Sequence, residues 1–248
     1  MMHPFSYVLA RKIFAPIALA LLAPSACTNI TDHAPHVPGP ASSVTRAESL
    51  RIADAYARLR WTPEKRHILH GRDRDGMEVQ TPDRSLDREK YGNGWWMAGR
   101  NNTGMPYMWG GFDTPDLFLQ HLASGKRAGD VTTPEKRRLG DAAVSRDTCG
   151  IDCSGFVSRC WKLDHPVSTR ELPAICEPLP DWDALQAGDI LLNGQHVLLF
   201  AGWQVPGKVI LGYEAGPKPV WRVNACGLEK RFLQERGYAP WRYRNMRP

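Results

Sequence analysis

The stretch Gly150-Ile151-Asp152-Cys153-Ser154-Gly155-Phe156-Val157 constrains this chain more than any other. From Cys153 onward the apolar residues Phe156, Val157, Cys160 and Trp161 fall three, four, seven and eight positions on. At about 100° per residue they share one stripe of a helix, with Cys153 in its first turn. Asp152 is the natural cap for such a helix. The positive end of the helix dipole favours a thiolate at that turn. Gly155 has no side chain, so backbone or substrate can approach the sulfur. The same pattern also fits a Cys153 that is only the first core residue of an amphipathic helix. This segment alone therefore assigns it no chemistry.

A second constellation bears on that choice. Leu185-Gln186-Ala187-Gly188-Asp189-Ile190-Leu191-Leu192 reads as a turn entering a strand, and His196 to Trp203 as an apolar, strand-forming run that begins at a histidine. Gln204-Val205-Pro206-Gly207 is a turn signal, and Lys208 to Ala215 is the returning strand. Folding this hairpin about Val205 makes facing residue numbers sum to 410 and sets His196 opposite Glu214. A slip of one residue would put the two side chains on opposite faces. In the facing register, Glu214 can hold one imidazole nitrogen while the other meets the cleft, which is the order of nucleophile, base and orienting group used in cysteine hydrolysis.

The motifs Tyr107-Met108-Trp109-Gly110-Gly111, Asp152-Cys153-Ser154-Gly155-Phe156-Val157, Gly188-Asp189 and His196-Val197 occur in that order. In kind and order they resemble the NlpC/P60 family of cell-wall cysteine peptidases, over roughly residues 95–248. The resemblance implies an α+β, papain-like fold, with the nucleophile-bearing helix packed on an antiparallel sheet that carries the histidine. It implies hydrolysis of amide bonds in peptidoglycan stem peptides, of the D-glutamyl–diamino acid type, without metal or organic cofactor. Carried over to this chain, Cys153 is the nucleophile, His196 the base, and Glu214 stands where the family often has a histidine. Tyr107, Asp152 and Ser154 correspond to residues that hold the free amino end of a stem peptide. An acid at Asp152 suits an ammonium group, and it serves equally well as a plain helix cap.

Two features depart from the family. Glu214 is one, since a carboxylate would favour a charged imidazole more strongly than a histidine does. The other is the 46-residue separation of Tyr107 and Cys153, where the gap in relatives is much shorter. The additional segment holds a good helix start, Thr114-Pro115-Asp116-Leu117-Phe118, and a basic cluster, Lys136-Arg137-Arg138. Both its ends are motif residues, so the insert is expected to border the cleft and narrow the substrates accepted.

Upstream, Ile13 to Ala23 is an eleven-residue apolar run behind the basic pair Arg11-Lys12. It is shorter than the ~20 residues that span a bilayer and fits a secretory signal over residues 1–26. Two processing routes fit: ordinary cleavage near Ala26, or lipidation of Cys27, with Ser25-Ala26-Cys27 matching a lipoprotein box and Pro24 departing from it. Either route predicts an exported protein of the periplasm or envelope, at most anchored to a membrane by its N-terminus. Residues 27–94 read as a tether followed by a helical extension, in which Thr45 caps a helix over Ala47 to Leu59 with Ile52, Tyr56 and Leu59 on one face.

Composition narrows the function classes. With 42% hydrophobic and 23% charged residues the chain can bury a core, which excludes a wholly disordered or collagen-like protein. The formal charge of +6 includes Arg11 and Lys12 of the signal, and no long Lys/Arg block occurs, so nucleic acid is not an expected partner. His67-x-x-His70 lacks a Cys or acid cluster at zinc spacing. Asp73-Arg74-Asp75-Gly76 fails as a calcium loop, because Gly71 and Pro82 fall where carboxylates are needed. Most of the nine Trp residues are expected in the core or a cleft wall. Cys149, Cys160, Cys176 and Cys226 permit two disulfides in three connectivities, and the sequence selects none. Two rival readings remain: an amidase or acyltransferase on the same scaffold, and a non-catalytic wall-binding lipoprotein, which would need neither Cys153 nor His196.

Overall fold

Helix α1 (Arg46–Arg58) opens on a reciprocal cap. The Glu48 N–H donates to Thr45 Oγ1 at 3.2 Å and the Thr45 N–H to Glu48 Oε2 at 2.9 Å. Its buried face is Ser49, Ala53 and Tyr56, while Ile52 and Leu59 are half-buried beside it. The stripe is rotated from the one the apolar residues suggest because Ala53 and Ser49, being small, let α1 lie close to a neighbouring helix. Tyr56 meets Phe156 of that helix edge-on at 5.7 Å and donates to the Asp113 carbonyl at 2.9 Å. The computed structural model describes residues 43–216 and 218–248; the signal segment 1–26, Cys27 and the tether up to residue 42 lie outside the described residues.

The protein mixes helices with an antiparallel sheet. Helices α2 (Pro115–Ala123) and α3 (Pro134–Leu139) precede α4 (Cys153–Cys160). Six strands follow: β1 (Cys176–Pro178), β2 (Ile190–Leu192), β3 (Val197–Val205), β4 (Val209–Ala215), β5 (Val223–Glu229) and β6 (Ala239–Tyr243), with α5 (Lys230–Glu235) between the last two. They lie in the order β5-β4-β3-β2-β6-β1, every neighbour antiparallel. Val197 to Phe200 are buried without a break, because both sheet faces are covered. Val197 and Leu199 join the core beneath α1 and α4, whereas Leu198 and Phe200 pack with Ile210, Trp182 and Leu233 of α5.

Residues upstream of Trp95 belong to the same core. Trp61 packs edge-on against Trp95, Trp96 and Phe118 at 5.2–5.8 Å, and Val44, Leu86 and Tyr91 are buried in that cluster. Trp161 stacks on Tyr243 at 4.8 Å. These tryptophans are thus core residues, not an exposed platform. Cys149, Cys160, Cys176 and Cys226 are all unpaired thiols, the first three buried.

Asp189 ties these layers together and is fully buried. Its carboxylate accepts from Arg46 Nη1 at 3.0 Å, from Arg242 Nε and Nη2 at 3.0 and 2.7 Å, and from the Gln186 N–H at 2.9 Å. Arg46 also reaches the Ala187 carbonyl and Arg242 the Ala184 carbonyl. One carboxylate therefore joins the start of α1, the turn before β2 and strand β6, which makes the Gly188-Asp189 motif a structural knot. Asp189→Ala leaves two partly solvated guanidinium groups without their shared partner. It is expected to destabilise the fold by about 3 kcal/mol, seen as a lowered urea midpoint by tryptophan fluorescence.

Candidate active site

Cys153 opens α4 as its first residue, and Asp152 caps the helix by accepting the Gly155 N–H at 2.6 Å. The segment Tyr107–Phe112 is braced on the residues just before it. Ile151 bridges to both Tyr107 and Phe112, the Met108 N–H reaches the Ile151 carbonyl at 3.0 Å, and the Asp152 N–H the Gly111 carbonyl at 3.2 Å. The glycines permit this approach. A Cβ on Gly111 would lie 2.6 Å from the Gly150 carbonyl oxygen, and one on Gly155 would overlap the Gly111 carbonyl. Gly155 thus admits backbone, not substrate, beside the nucleophile's helix. The Tyr-x-Trp-Gly-Gly motif and the cysteine motif are two sides of one packed joint.

His196 stands one residue before β3 and is only 9% exposed; Cys153 is 7% exposed. The turn that presents the histidine is closed by Asn193, whose side-chain oxygen accepts the Gln195 and His196 N–H groups at 2.9 and 2.8 Å. His196 Nε2 lies 2.6 Å from Glu214 Oε2, and Cys153 is near enough for its charge to act on the same imidazole. With Nε2 on the carboxylate, Nδ1 is the nitrogen left for the sulfur. Tyr238 meets the imidazole edge-on at 6.4 Å.

The hairpin register differs from the one expected. Leu199 faces Tyr213 and Phe200 faces Gly212, so facing numbers sum to 412 at this end, and two irregularities move the tip further out of step. Continuing this register sets Leu198, not His196, across from Glu214. A shift of two residues preserves the face, so His196 and Glu214 meet as diagonal neighbours instead of opposed ones. A shift of one would have separated them.

Electrostatics follow from burial and the two partners. Burial by itself works against an imidazolium at His196, but Cys153 and the Glu214 carboxylate outweigh it, and the group is pushed up to about 10. Burial pushes the Asp152 carboxyl up, against the hydrogen bonds from Gly155 and Ser154. Burial also raises the Tyr107 hydroxyl, helped by Cys153 and Asp152. Ser154 Oγ donates to Asp152 Oδ1 at 3.1 Å, and Thr132 Oγ1 to the Tyr107 oxygen at 2.9 Å. The Cys153 N–H donates to no acceptor among the described residues, as expected of an orphan donor in a first helical turn.

A cleft of about 550 Å³ opens above these groups. Tyr107, Asp152, Cys153, Ser154 and His196 all line it, so five of the six sequence-predicted site residues share its lining, and Glu214 holds the imidazole. The insert also reaches the cleft, but only through residues 137–141; α2 packs inward through Phe118 and Leu122. It is clamped there. Trp109 Nε1 donates to the Gly140 carbonyl at 3.1 Å, and Lys136 is buried in an ion pair with Asp130. The basic cluster is therefore split, with one residue inside and Arg137 and Arg138 at the mouth. Arg170 and its neighbours Ser168 to Glu171 form the facing rim, which no sequence pattern had marked.

Among the described residues no cluster of His, Cys, Asp and Glu could hold a metal ion. His67 and His70 diverge: the first is buried, with Nδ1 accepting from the Glu64 N–H, and the second lies on a hairpin beside Asp83 and Gln80. Asp73 to Gly76 is a turn stapled by Asp73 Oδ1, which accepts the Asp75 and Met77 N–H groups. No family model, curated protein or solved structure matches the chain significantly.

Because its proton affinity is raised on folding, His196 contributes stability that is complete below about pH 6.5 and is lost as pH climbs through about 10. The ring resonances of His196 in an NMR titration are expected to move near pH 10. Glu214→Gln removes one of the raising influences and should bring that midpoint down towards the ordinary histidine range.

Proposed function

We propose that this chain is an exported cysteine peptidase of the NlpC/P60 kind, papain-like in arrangement, that hydrolyses amide bonds in peptidoglycan stem peptides of the D-glutamyl–diamino acid type. One observation carries the reading: a thiol at a helix N-terminus and a nearly buried imidazole held by a carboxylate line the same open cleft. A wall-binding protein without catalysis has no use for a buried charged imidazole, whose desolvation costs stability unless its partners stay in place.

The steps follow from the geometry. The sulfur of Cys153, its proton held on His196, attacks the amide carbonyl, and a C–S bond forms. The carbonyl oxygen becomes an oxyanion within reach of the unbonded Cys153 N–H, aided by the helix dipole. His196 passes its proton to the departing amine as the C–N bond breaks, which leaves a thioester. Water then attacks the thioester, giving its proton to His196, and the acid product leaves as Cys153 is released. Glu214 keeps the imidazole oriented through both halves and favours its charged form whenever it holds the proton. Tyr107, Asp152 and Ser154 would take the free amino end of the peptide; an ammonium beside Asp152 returns that carboxyl to its charged form. Export and N-terminal anchoring belong to the same proposal and rest on residues 1–27.

The test is incubation of the purified protein with defined stem peptides, with products weighed by mass spectrometry. The wild type is expected to release fragments cut on the carbonyl side of the diamino acid's nitrogen. Cys153→Ala is expected to lose at least about 10³-fold in kcat/KM while still binding the peptide. Absence of cleavage by the wild type, or a Cys153→Ala protein as active as its parent, overturns the reading.

A further inference from the structure

Arg137, Arg138 and Arg170 reach the mouth of the Cys153–His196 cleft from two separate segments. The first two project from the short helix α3. The third lies in the loop after α4. Position in the first pair is not left to chance. Lys136, the residue before them, is buried against Asp130 and the Val131 carbonyl, and Trp109 holds the carbonyl of Gly140 just beyond the helix. Arg137 is near enough to the site floor for its charge to act on the Tyr107 hydroxyl.

These guanidinium groups are not consumed by the protein. Among the described residues, the guanidinium groups of Arg137 and Arg170 form no ion pair and donate no hydrogen bond, and that of Arg138 has only Glu135 at 4.0 Å. The acids nearby are engaged otherwise or stand apart. Glu171 accepts the Ser168 N–H at 3.0 Å and its hydroxyl at 2.7 Å, and Asp141 pairs with none of the three. With Asp152 the lining holds three acids against three arginines, so selection by field alone is not available. Selection would come from the forks themselves, whose paired donors match a planar carboxylate.

We propose that Arg137 and Arg170 bind a free carboxylate of the substrate next to the scissile carbonyl, so the site takes peptides bearing an unmodified carboxylate there and discriminates against the corresponding carboxamide. The identity of the ligand rests on the peptidase reading; the anion site beside the thiol does not. The insert thereby becomes the specificity element of the cleft. It supplies Arg137, and the rim after α4 supplies Arg170.

Two measurements on the full-length protein test this and separate it from the parent reading. The first is alkylation of Cys153 by iodoacetate and by iodoacetamide, followed by mass spectrometry of the peptide containing it. In both, the thiolate displaces iodide and an S–C bond replaces the C–I bond; only the charge of the reagent differs. Taking the ratio of the two rates cancels any change in the thiol itself. The iodoacetate preference is expected to fall about tenfold in the double variant Arg137→Gln/Arg170→Gln. The second compares kcat/KM for a stem peptide and its carboxamide analogue. The wild type is expected to prefer the free acid by about tenfold or more, and the double variant to lose that preference. An unchanged alkylation ratio, or equal cleavage of both peptides by the wild type, overturns the proposal. A fallen ratio with neither peptide cleaved upholds the anion site and overturns the peptidase reading instead.

Discussion

Holding a charged imidazole out of water costs free energy unless both its nitrogens meet partners that favour the charge. His196 is nearly buried, and its two partners come from different parts of the fold: Cys153 from the start of α4, Glu214 from the end of β4. Neither partner can drift without exposing the other to the full desolvation cost. The surrounding architecture keeps these elements in step. Helix α4 packs on β3 and β4, α1 presses on α4, and Asp189 pins the start of α1 to the turn before β2 and to β6. The charge at the site and the stability of the sheet–helix contact are therefore coupled quantities.

A second constraint is steric and is written in glycine. Gly111, Gly150 and Gly155 let three stretches of backbone come closer than any side chain would permit. Their carbonyls and N–H groups satisfy one another across the joint, so the Tyr107–Phe112 segment is fixed relative to the nucleophile with few side-chain contacts. Trp109, in the same segment, carries that rigidity outward by holding the insert at Gly140.

How much of this was legible depended on the range of the interaction. Asp152 as cap, Thr45 as cap of α1, and the helix beginning at Thr114-Pro115 are local patterns, and the sequence states them directly; the reciprocal bond from the Thr45 N–H to Glu48 was not read from it. The partnership of His196 with Glu214 was legible only to parity. Strand alternation says which residues share a face, but irregularities after Phe200 and Trp203 set the register, and no residue there announces them. The role of Asp189 was hidden because its partners lie 143 and 53 residues away. The fate of Lys136-Arg137-Arg138 was equally hidden. Three consecutive basic residues look alike in a sequence, and only the buried Asp130, bridged to Met108 ahead of α3, draws the first of them inward.

That division of the basic cluster has a consequence for how such a cleft can change. The groups proposed to form and break bonds sit on α4 and at the sheet, whose packing tolerates little, since both sheet faces are buried and the joint at Gly155 has no slack. The groups at the mouth sit on a short helix and a loop, with side chains in solvent, the helix held by Trp109 at Gly140 and by Lys136 at Val131. Replacing Arg137 or Arg170 alters no core contact, whereas replacing Lys136 or Trp109 loosens the platform that aims them. The proposed selectivity and the proposed chemistry thus fall to parts with different mechanical tolerances. The ion pair of Lys136 with Asp130 is where they meet, because burial pushes the Asp130 carboxyl up to about 6 and its protonation would release the lysine that anchors the mouth.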